Sequence, residues 1–268
     1  MYENILTEVG AGVGIITLNR PERHNAFDDQ MIGELSTAFA AMQSDAAVRV
    51  VVVSSTGKSF CAGADLNWMK RAAAYSPAES LADARALAEM LRALAQLGKP
   101  TVARVQGPAY GGGVGLVAAC DVAIATYEAQ FVLSEVKLGI IPAVISPYLI
   151  AAIGERYARR YMLTAERFAA AEAYRMGLLH EIVQDEASLD EAVGEIVDGL
   201  LGNGPMALAA CKELIRAVAG RPLDAAVIDD TAQRIANIRA TAEAQEGMGA
   251  FLQKRKPGWV PAREDDDV

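Results

Sequence analysis

Three short segments carry residue types that can do chemistry together. The first, Ser59-Phe60-Cys61-Ala62-Gly63-Ala64-Asp65-Leu66, is built of small residues that let backbone approach a ligand closely. Asp65 can cap the segment behind it and leave nearby N–H groups free to meet an oxygen. The second, Gly107-Pro108-Ala109-Tyr110-Gly111-Gly112-Gly113-Val114-Gly115-Leu116, is a glycine-rich turn between an apolar strand and an apolar run. Such a turn presents N–H groups with a helix dipole behind them, which suits an anion or a developing oxyanion. The third, residues 133–142, holds Glu135, a lone carboxylate among apolar neighbours. Burial raises a carboxyl pKa and makes the group a usable proton carrier near neutral pH. Each segment also has a plainer reading. The first reads as an ordinary strand-to-helix turn, and Glu135 reads as a surface glutamate paired with Lys137. A dinucleotide loop fits the second segment poorly, because Leu116 stands where G-x-G-x-x-G needs a small residue.

The surrounding pattern supplies elements to hold these segments. Residues 4–9 and 13–19 read as a hairpin. Asp28 caps a helix with Met31, Leu35, Phe39 and Met42 on its apolar face. Residues 48–53 form a β-branched run typical of a strand covered on both faces. A second amphipathic helix shows Leu87, Met90, Leu91, Leu94 and Leu97, and stops at Gly98 and Pro100. Strands follow at 101–106, 121–126 and 130–133. Ser146-Pro147 starts a helix, residues 169–176 form another that ends at Gly177, and 180–183 is a last short strand. From residue 188 to about 253 the pattern is helical, broken near 202–205 and 220–222. The fold class is therefore α/β with a helical C-terminal appendage.

The bulk numbers narrow the function. At 268 residues, 52% hydrophobic and 22% charged, the chain can bury a sizeable core. The formal net charge is -9, and Glu264, Asp265, Asp266 and Asp267 contribute part of it. An acidic chain argues against broad nucleic-acid binding, which needs a basic face. Cys61, Cys120 and Cys211 match no metal spacing and suit a reducing, cytoplasmic protein. No signal peptide is expected, and residues 138–154, with Pro142 and Pro147, are a poor membrane span. His24 and His180 show no triad or metal spacing and read as structural.

The three segments, in this order, resemble the enoyl-CoA hydratase/isomerase (crotonase) family. Asn19-Arg20-Pro21, Asn25-Ala26 and Ala250-Phe251-Leu252-Gln253-Lys254-Arg255 extend the resemblance over nearly the whole chain. Within the family, Ile141-Pro142-Ala143-Val144-Ile145-Ser146-Pro147-Tyr148 most resembles bacterial methylglutaconyl-CoA and isohexenylglutaconyl-CoA hydratases. The resemblance implies a spiral of ββα units, with an acyl-CoA-binding core at 1–203 and a helical trimerisation region at 204–268. It implies a homotrimer, or a hexamer made of two trimers.

The resemblance further implies that the N–H groups of Ala64 and Gly112 polarise the thioester carbonyl and that Glu135 carries the proton. Ala62, Asp65, Leu66, Gly115 and Pro142 then fall along the substrate. Arg23 and Lys58 fall near the CoA phosphates or adenine, as do Phe251 and Lys254 from a neighbouring subunit. Coenzyme A comes with the substrate, so no separate cofactor or metal is expected, and neither is a nucleic-acid or membrane partner. Fatty-acid or leucine catabolism in the cytoplasm is the implied setting.

One departure matters. Two-glutamate hydratases carry a second carboxylate where this chain has Gly115. A single carboxylate can shuttle a proton between carbons without water, so a Δ3,Δ2-enoyl-CoA isomerase stays open beside the hydratase. The reading taken is a hydratase acting on 3-methylglutaconyl-CoA or a related branched or carboxylated enoyl-CoA. Gly115 would then leave space for that acyl chain, and a distal carboxylate would want a cation such as Lys70, Arg71 or Lys137. An RNA-associated, non-catalytic homologue is disfavoured by the acidic charge.

Overall fold

The computed structural model of the chain describes residues 2–260. The acidic tail, Glu264 to Asp267, lies outside the described residues. Two compact units are present. One comprises residues up to Leu97 together with Thr101–Glu195; the other comprises Gly98–Pro100 and the chain from Ile196 onward.

The first unit is built on strands β1 (Ile5–Gly10), β2 (Val13–Leu18), β3 (Val50–Ser55), β4 (Thr101–Val105), β5 (Ala109–Tyr110), β6 (Val122–Thr126), β7 (Gln130–Val132), β8 (Phe168–Ala169) and β9 (Glu181–Val183). One sheet has the order β1-β2-β3-β4-β6-β9, and β5-β7-β8 form a smaller one. Apart from the β1–β2 hairpin, every pair in the larger sheet is parallel. Parallel strands need crossovers that cover the sheet, so β3, with Val50 to Val53, is buried along its whole length.

The helices are α1 (Asp29–Ser44), α2 (Leu66–Ala72), α3 (Pro77–Ala95), α4 (Gly112–Ala119), α5 (Ser146–Thr164), α6 (Ala170–Met176), α7 (Glu186–Leu201), α8 (Pro205–Val218), α9 (Ala225–Arg239) and α10 (Ala242–Leu252). Asp28 caps α1 by accepting the Met31 N–H, and Met31, Leu35, Phe39 and Met42 are the buried stripe expected of that helix. α3 opens with a reciprocal capping box between Ser76 and Glu79. The buried side chains of α1 and α3 share one core with Phe27, Phe60 and Phe131. The mixed α/β fold, with many helices and a largely parallel sheet, matches the fold class expected from sequence.

Two local expectations are corrected. The glycine run is not one turn, because α4 starts inside it at Gly112. Glycine disfavours helix by about 1 kcal/mol relative to alanine, and here close packing on neighbouring backbone overrides that preference. The helical stretch after residue 222 also breaks once more, where Thr241 caps α10 by accepting the Ala244 N–H.

The second unit has its own ties. Buried Lys212 donates from Nζ to the Lys99 carbonyl at 2.9 Å, which joins residues 98–100 to α8. Gly204 offers α8 no side-chain cap. The Glu243 carboxylate takes that role, accepting N–H groups from Met206 at 3.0 Å and Ala207 at 2.8 Å.

Arg20 joins the starts of α1 and α2. Its guanidinium meets Asp28 Oδ2 at 2.8 Å and Asp65 Oδ2 at 3.3 Å, and it donates to the Ala26 carbonyl at 2.8 Å. Asp65 meanwhile caps α2 through Oδ1, accepting from Asn67 N at 2.7 Å and Trp68 N at 3.2 Å. Burial alone pushes the Asp65 carboxyl up. The Asn67 and Trp68 N–H groups and the charges of Arg20 and Arg23 outweigh it and hold the group below the usual carboxylate range. A carboxyl depressed on folding stabilises the protein above its unfolded pKa, and that contribution fades as pH falls through the folded value.

Arg20→Met leaves the buried Asp65 and the half-buried Asp28 carboxylates short of a partner and should cost about 1–3 kcal/mol of stability near neutral pH. Urea denaturation at pH 7 and at pH 3 checks this. The deficit should shrink at the lower pH, and an equal deficit at both would show that the charge pairing is irrelevant.

Candidate active site

The small-residue loop is clamped from both sides. On one side, fully buried Asn25 donates from Nδ2 to the carbonyls of Thr56 at 2.8 Å and Ser59 at 2.9 Å, while its Oδ1 accepts the Arg20 N–H at 2.7 Å. Ala62 N–H donates to the His24 carbonyl, Phe27 N–H to Gly63, and Asp65 N–H to Phe27. On the other side, Phe60 N–H donates to the Pro108 carbonyl, and Tyr110 N–H donates to the Cys61 carbonyl. The first two chemistry-bearing segments are therefore hydrogen-bonded to each other directly.

This clamp leaves two donors unspent. Among the described residues, neither the Ala64 N–H nor the Gly112 N–H makes a hydrogen bond. Gly112 is the first residue of α4, where an N–H has no intrahelical partner. Both residues line a chamber of about 520 Å³.

Glu135 lines the same chamber from a single 3-10 turn, Glu135–Leu138, that follows β7. Its Oε2 is buried without a hydrogen-bond partner. Its Oε1 lies 3.0 Å from where a Cβ on Gly111 would sit. Burial pushes the carboxyl above its ordinary value, only partly opposed by a backbone hydrogen bond. The rest of the lining is apolar or small, with Phe27, Trp68, Met69, Leu87 and Ile145 among it. Two free N–H donors and a buried carboxylate in an apolar chamber can stabilise a developing oxyanion and move a proton beside it.

The residues singled out from sequence divide by position. Ala62, Ala64, Leu66, Gly112, Glu135 and Pro142 line the chamber. Asp65 is buried as the cap of α2 and does not line it. Arg23 and Lys58 are exposed and outside the lining. Phe251 and Lys254 belong to the second unit, where both are exposed.

Gly115 calls for a correction. It does not line the chamber and leaves no room there. A Cβ at Gly115 would stand 2.3 Å from Ile145 Cγ2, so the space is already filled by that side chain.

His180 bonds to backbone and His24 to a neighbouring side chain. His180 Nδ1 accepts the Ala123 N–H at 3.1 Å, and His24 Nδ1 lies 3.0 Å from Ser59 Oγ. Among the described residues no cluster of His, Cys, Asp and Glu is arranged to hold a metal ion.

Sequence reading missed Trp68, Leu87 and Ile145 as chamber walls. Leu87 was legible only as a helix-face leucine. Trp68 carries a weak signal, since its indole N–H needs a partner when buried, and it donates to Asp83 Oδ1 at 2.9 Å. The cation candidates also separate, because Arg71 is ion-paired with Asp29, while Lys70 and Lys137 are exposed and outside the chamber lining. No helix of the described residues is long and apolar enough to cross a membrane.

Comparison with known proteins agrees with this geometry. Residues 8–261 match the enoyl-CoA hydratase/isomerase family model. The chain superposes on the crystal structure of an enoyl-CoA hydratase from Shewanella pealeana with a TM-score of 0.93, at 43% identity and covering 96% of each chain. It is 33% identical to the crotonyl-CoA hydratase of Syntrophomonas wolfei, over 97% of this chain and 98% of that one. It is also 33% identical to the 1,2-epoxyphenylacetyl-CoA isomerase of Escherichia coli, over 96% of this chain and 98% of that one. On this match in sequence and in three dimensions, the chain belongs to the enoyl-CoA hydratase/isomerase (crotonase) family and is an enzyme of that hydratase or isomerase type.

Proposed function

We propose that this enzyme adds water reversibly to an α,β-unsaturated acyl-CoA, with Glu135 as its one catalytic carboxylate and a branched, glutaconyl-type acyl group as its substrate. The observation that carries the reading is Glu135 Oε2, buried and unpartnered beside two free N–H donors. The thioester oxygen sits between the Ala64 and Gly112 N–H groups. Glu135 takes a proton from water as the water oxygen bonds to the β-carbon, and the electron pair moves through the α-carbon onto the thioester oxygen. The same proton then passes from Glu135 to the α-carbon as the enolate collapses. The net change is addition of one water.

Each donor at such an oxyanion is worth on the order of 3 kcal/mol as charge develops. A carboxyl raised by burial binds its proton more readily, so the group can pass through both protonation states in one cycle.

A glutaconyl acyl group adds a distal carboxylate. Among the described residues, Lys70 on α2 and Lys137 beside Glu135 are exposed cations that could meet it, whereas Arg71 is committed to Asp29. The isomerase reading draws on the same single carboxylate, which can move a proton between two carbons with no water. Exposed Arg23 and Lys58 are suited to the CoA phosphates, with Lys254 and Phe251 reaching them from a neighbouring subunit of a trimer or hexamer.

Turnover of crotonyl-CoA, 3-methylglutaconyl-CoA and a 3-enoyl-CoA, with hydration and isomerisation scored separately, tests the reaction. Glu135→Gln should lose about 10²–10⁴ in kcat with acyl-CoA binding retained. The acid limb of the wild-type kcat/KM profile should fall above pH 4.5, the ordinary value for this side chain. Full activity of Glu135→Gln on every thioester would sink the mechanism, and double-bond migration without hydration would favour the isomerase. Lys58→Ala and Lys254→Ala should raise KM, most at low salt, and leave kcat nearly unchanged. A kcat collapse at constant KM would remove them from the CoA site. Sedimentation should find a trimer or hexamer, and a stable monomer at micromolar concentration would contradict the assembly.

A further inference from the structure

The shape of the acyl chamber beside the reacting carbons rests on one contact. α4 begins Gly112-Gly113-Val114-Gly115, and residues three apart on a helix share a face. Gly115 therefore stands one turn beyond the free Gly112 N–H, about 4.5 Å along the axis. In an acyl-CoA the α- and β-carbons follow the thioester carbonyl by one and two bonds, so a thioester held at the Gly112 N–H keeps both close to this turn of α4.

Ile145 covers this spot. A Cβ on Gly115 would meet Ile145 Cγ2 at 2.3 Å, Ile145 Cβ at 2.9 Å and Leu91 Cδ1 at 3.6 Å. Ile145 is 3% exposed and lines the chamber. Its carbonyl accepts the Leu149 N–H in the first turn of α5, which fixes its backbone. A β-branched side chain has few χ1 choices, and with Gly115 packed against its branch Ile145 is held in that notch.

We propose that Ile145, seated in the notch that Gly115 provides, is a specificity-determining residue. Its branched side chain is the wall facing the α- and β-carbons of the acyl group, and it sets how large a branch they can carry. This deepens the enoyl-CoA reading and rests on it for the position of the thioester. The wall is also uncharged, and among the described residues Glu135 is the only ionisable side chain lining the chamber.

The test uses the full-length protein and non-reacting ligands, so that it stays separate from the reaction assignment. Calorimetric Kd values for butyryl-CoA and the β-branched isovaleryl-CoA are measured for wild type and Ile145→Ala. Truncation should shift the affinity ratio toward isovaleryl-CoA by about tenfold, the scale at which hydrophobic pockets discriminate single carbon groups. An unchanged ratio overturns the proposal and leaves Ile145 as packing alone. A second measurement tests the seat itself. Gly115→Ala should lower the melting temperature, and Gly115→Ala with Ile145→Gly should recover part of the loss. If Gly115→Ala is as stable as wild type, Ile145 is not held as described. Absence of turnover in the wild type, with the affinity ratio shifted as expected, would refute the hydratase reading and leave this inference standing.

Discussion

The site depends on a backbone-to-backbone approach that side chains would forbid. The carbonyl of Cys61 lies 2.5 Å from where a Cβ of Gly113 would be, and the carbonyl of Tyr110 lies 3.0 Å from that of Gly63. Each segment so contributes the glycine that admits the other's carbonyl. The hydrogen bond from Tyr110 N–H to the Cys61 carbonyl can form only because this approach is open. With the Cys61 carbonyl taken by the Tyr110 N–H and the Pro108 carbonyl by the Phe60 N–H, the Ala64 and Gly112 N–H groups are left unspent in the lining of one chamber. The donors sit on backbone tied at several points, which is how a site keeps its dipoles oriented without reorganising during reaction.

Chemistry and stability pull in opposite directions at Glu135. A buried carboxylate oxygen without a partner costs about 1–3 kcal/mol or more, and burial opposes its ionisation. The scaffold tolerates this because the surrounding structure is over-determined. Asn25 uses three hydrogen bonds to tie two loops, Arg20 bridges two helix caps, and α1 and α3 bury continuous apolar stripes. The cost at this one carboxylate is carried by ties made elsewhere in the same unit.

Much of this was legible in the sequence because it follows from local rules. The Asp28 cap with its stripe, the β-branched run at β3 and the stop at Gly98 and Pro100 are patterns within one element. The residues lining the chamber from the three segments were likewise marked by type and order. What stayed hidden depends on contacts between distant parts of the chain. β8 is two residues long and exists only as a partner for β7. The turn that aims Glu135 is four residues long and has no sequence signature. α4 starts at Gly112, where a Cβ would meet the Phe27 ring at 3.0 Å, and continues through Gly113, where it would meet the Cys61 carbonyl at 2.5 Å; no propensity scale contains those neighbours.

Gly115 shows the limit most plainly. Read alone, a glycine in a chamber wall means empty space, and empty space means room for substrate. In a close-packed interior a missing side chain on one element is filled by a larger one on another. Here the filling residue is Ile145, at the start of α5, and the volume it takes is the volume Gly115 gives up. The chemical consequence runs further than the steric one. A side chain at position 115 would share the helix face of the Gly112 donor, so whichever residue occupies that space decides what stands next to the reacting carbons. In the mechanism proposed above, an apolar occupant leaves proton transfer to Glu135 alone and keeps a second charge away from the developing enolate. In that mechanism the room the apolar wall leaves beside Glu135 decides whether a water can stand there to supply the proton, and that room is set by packing around a residue that takes no part in the bond changes.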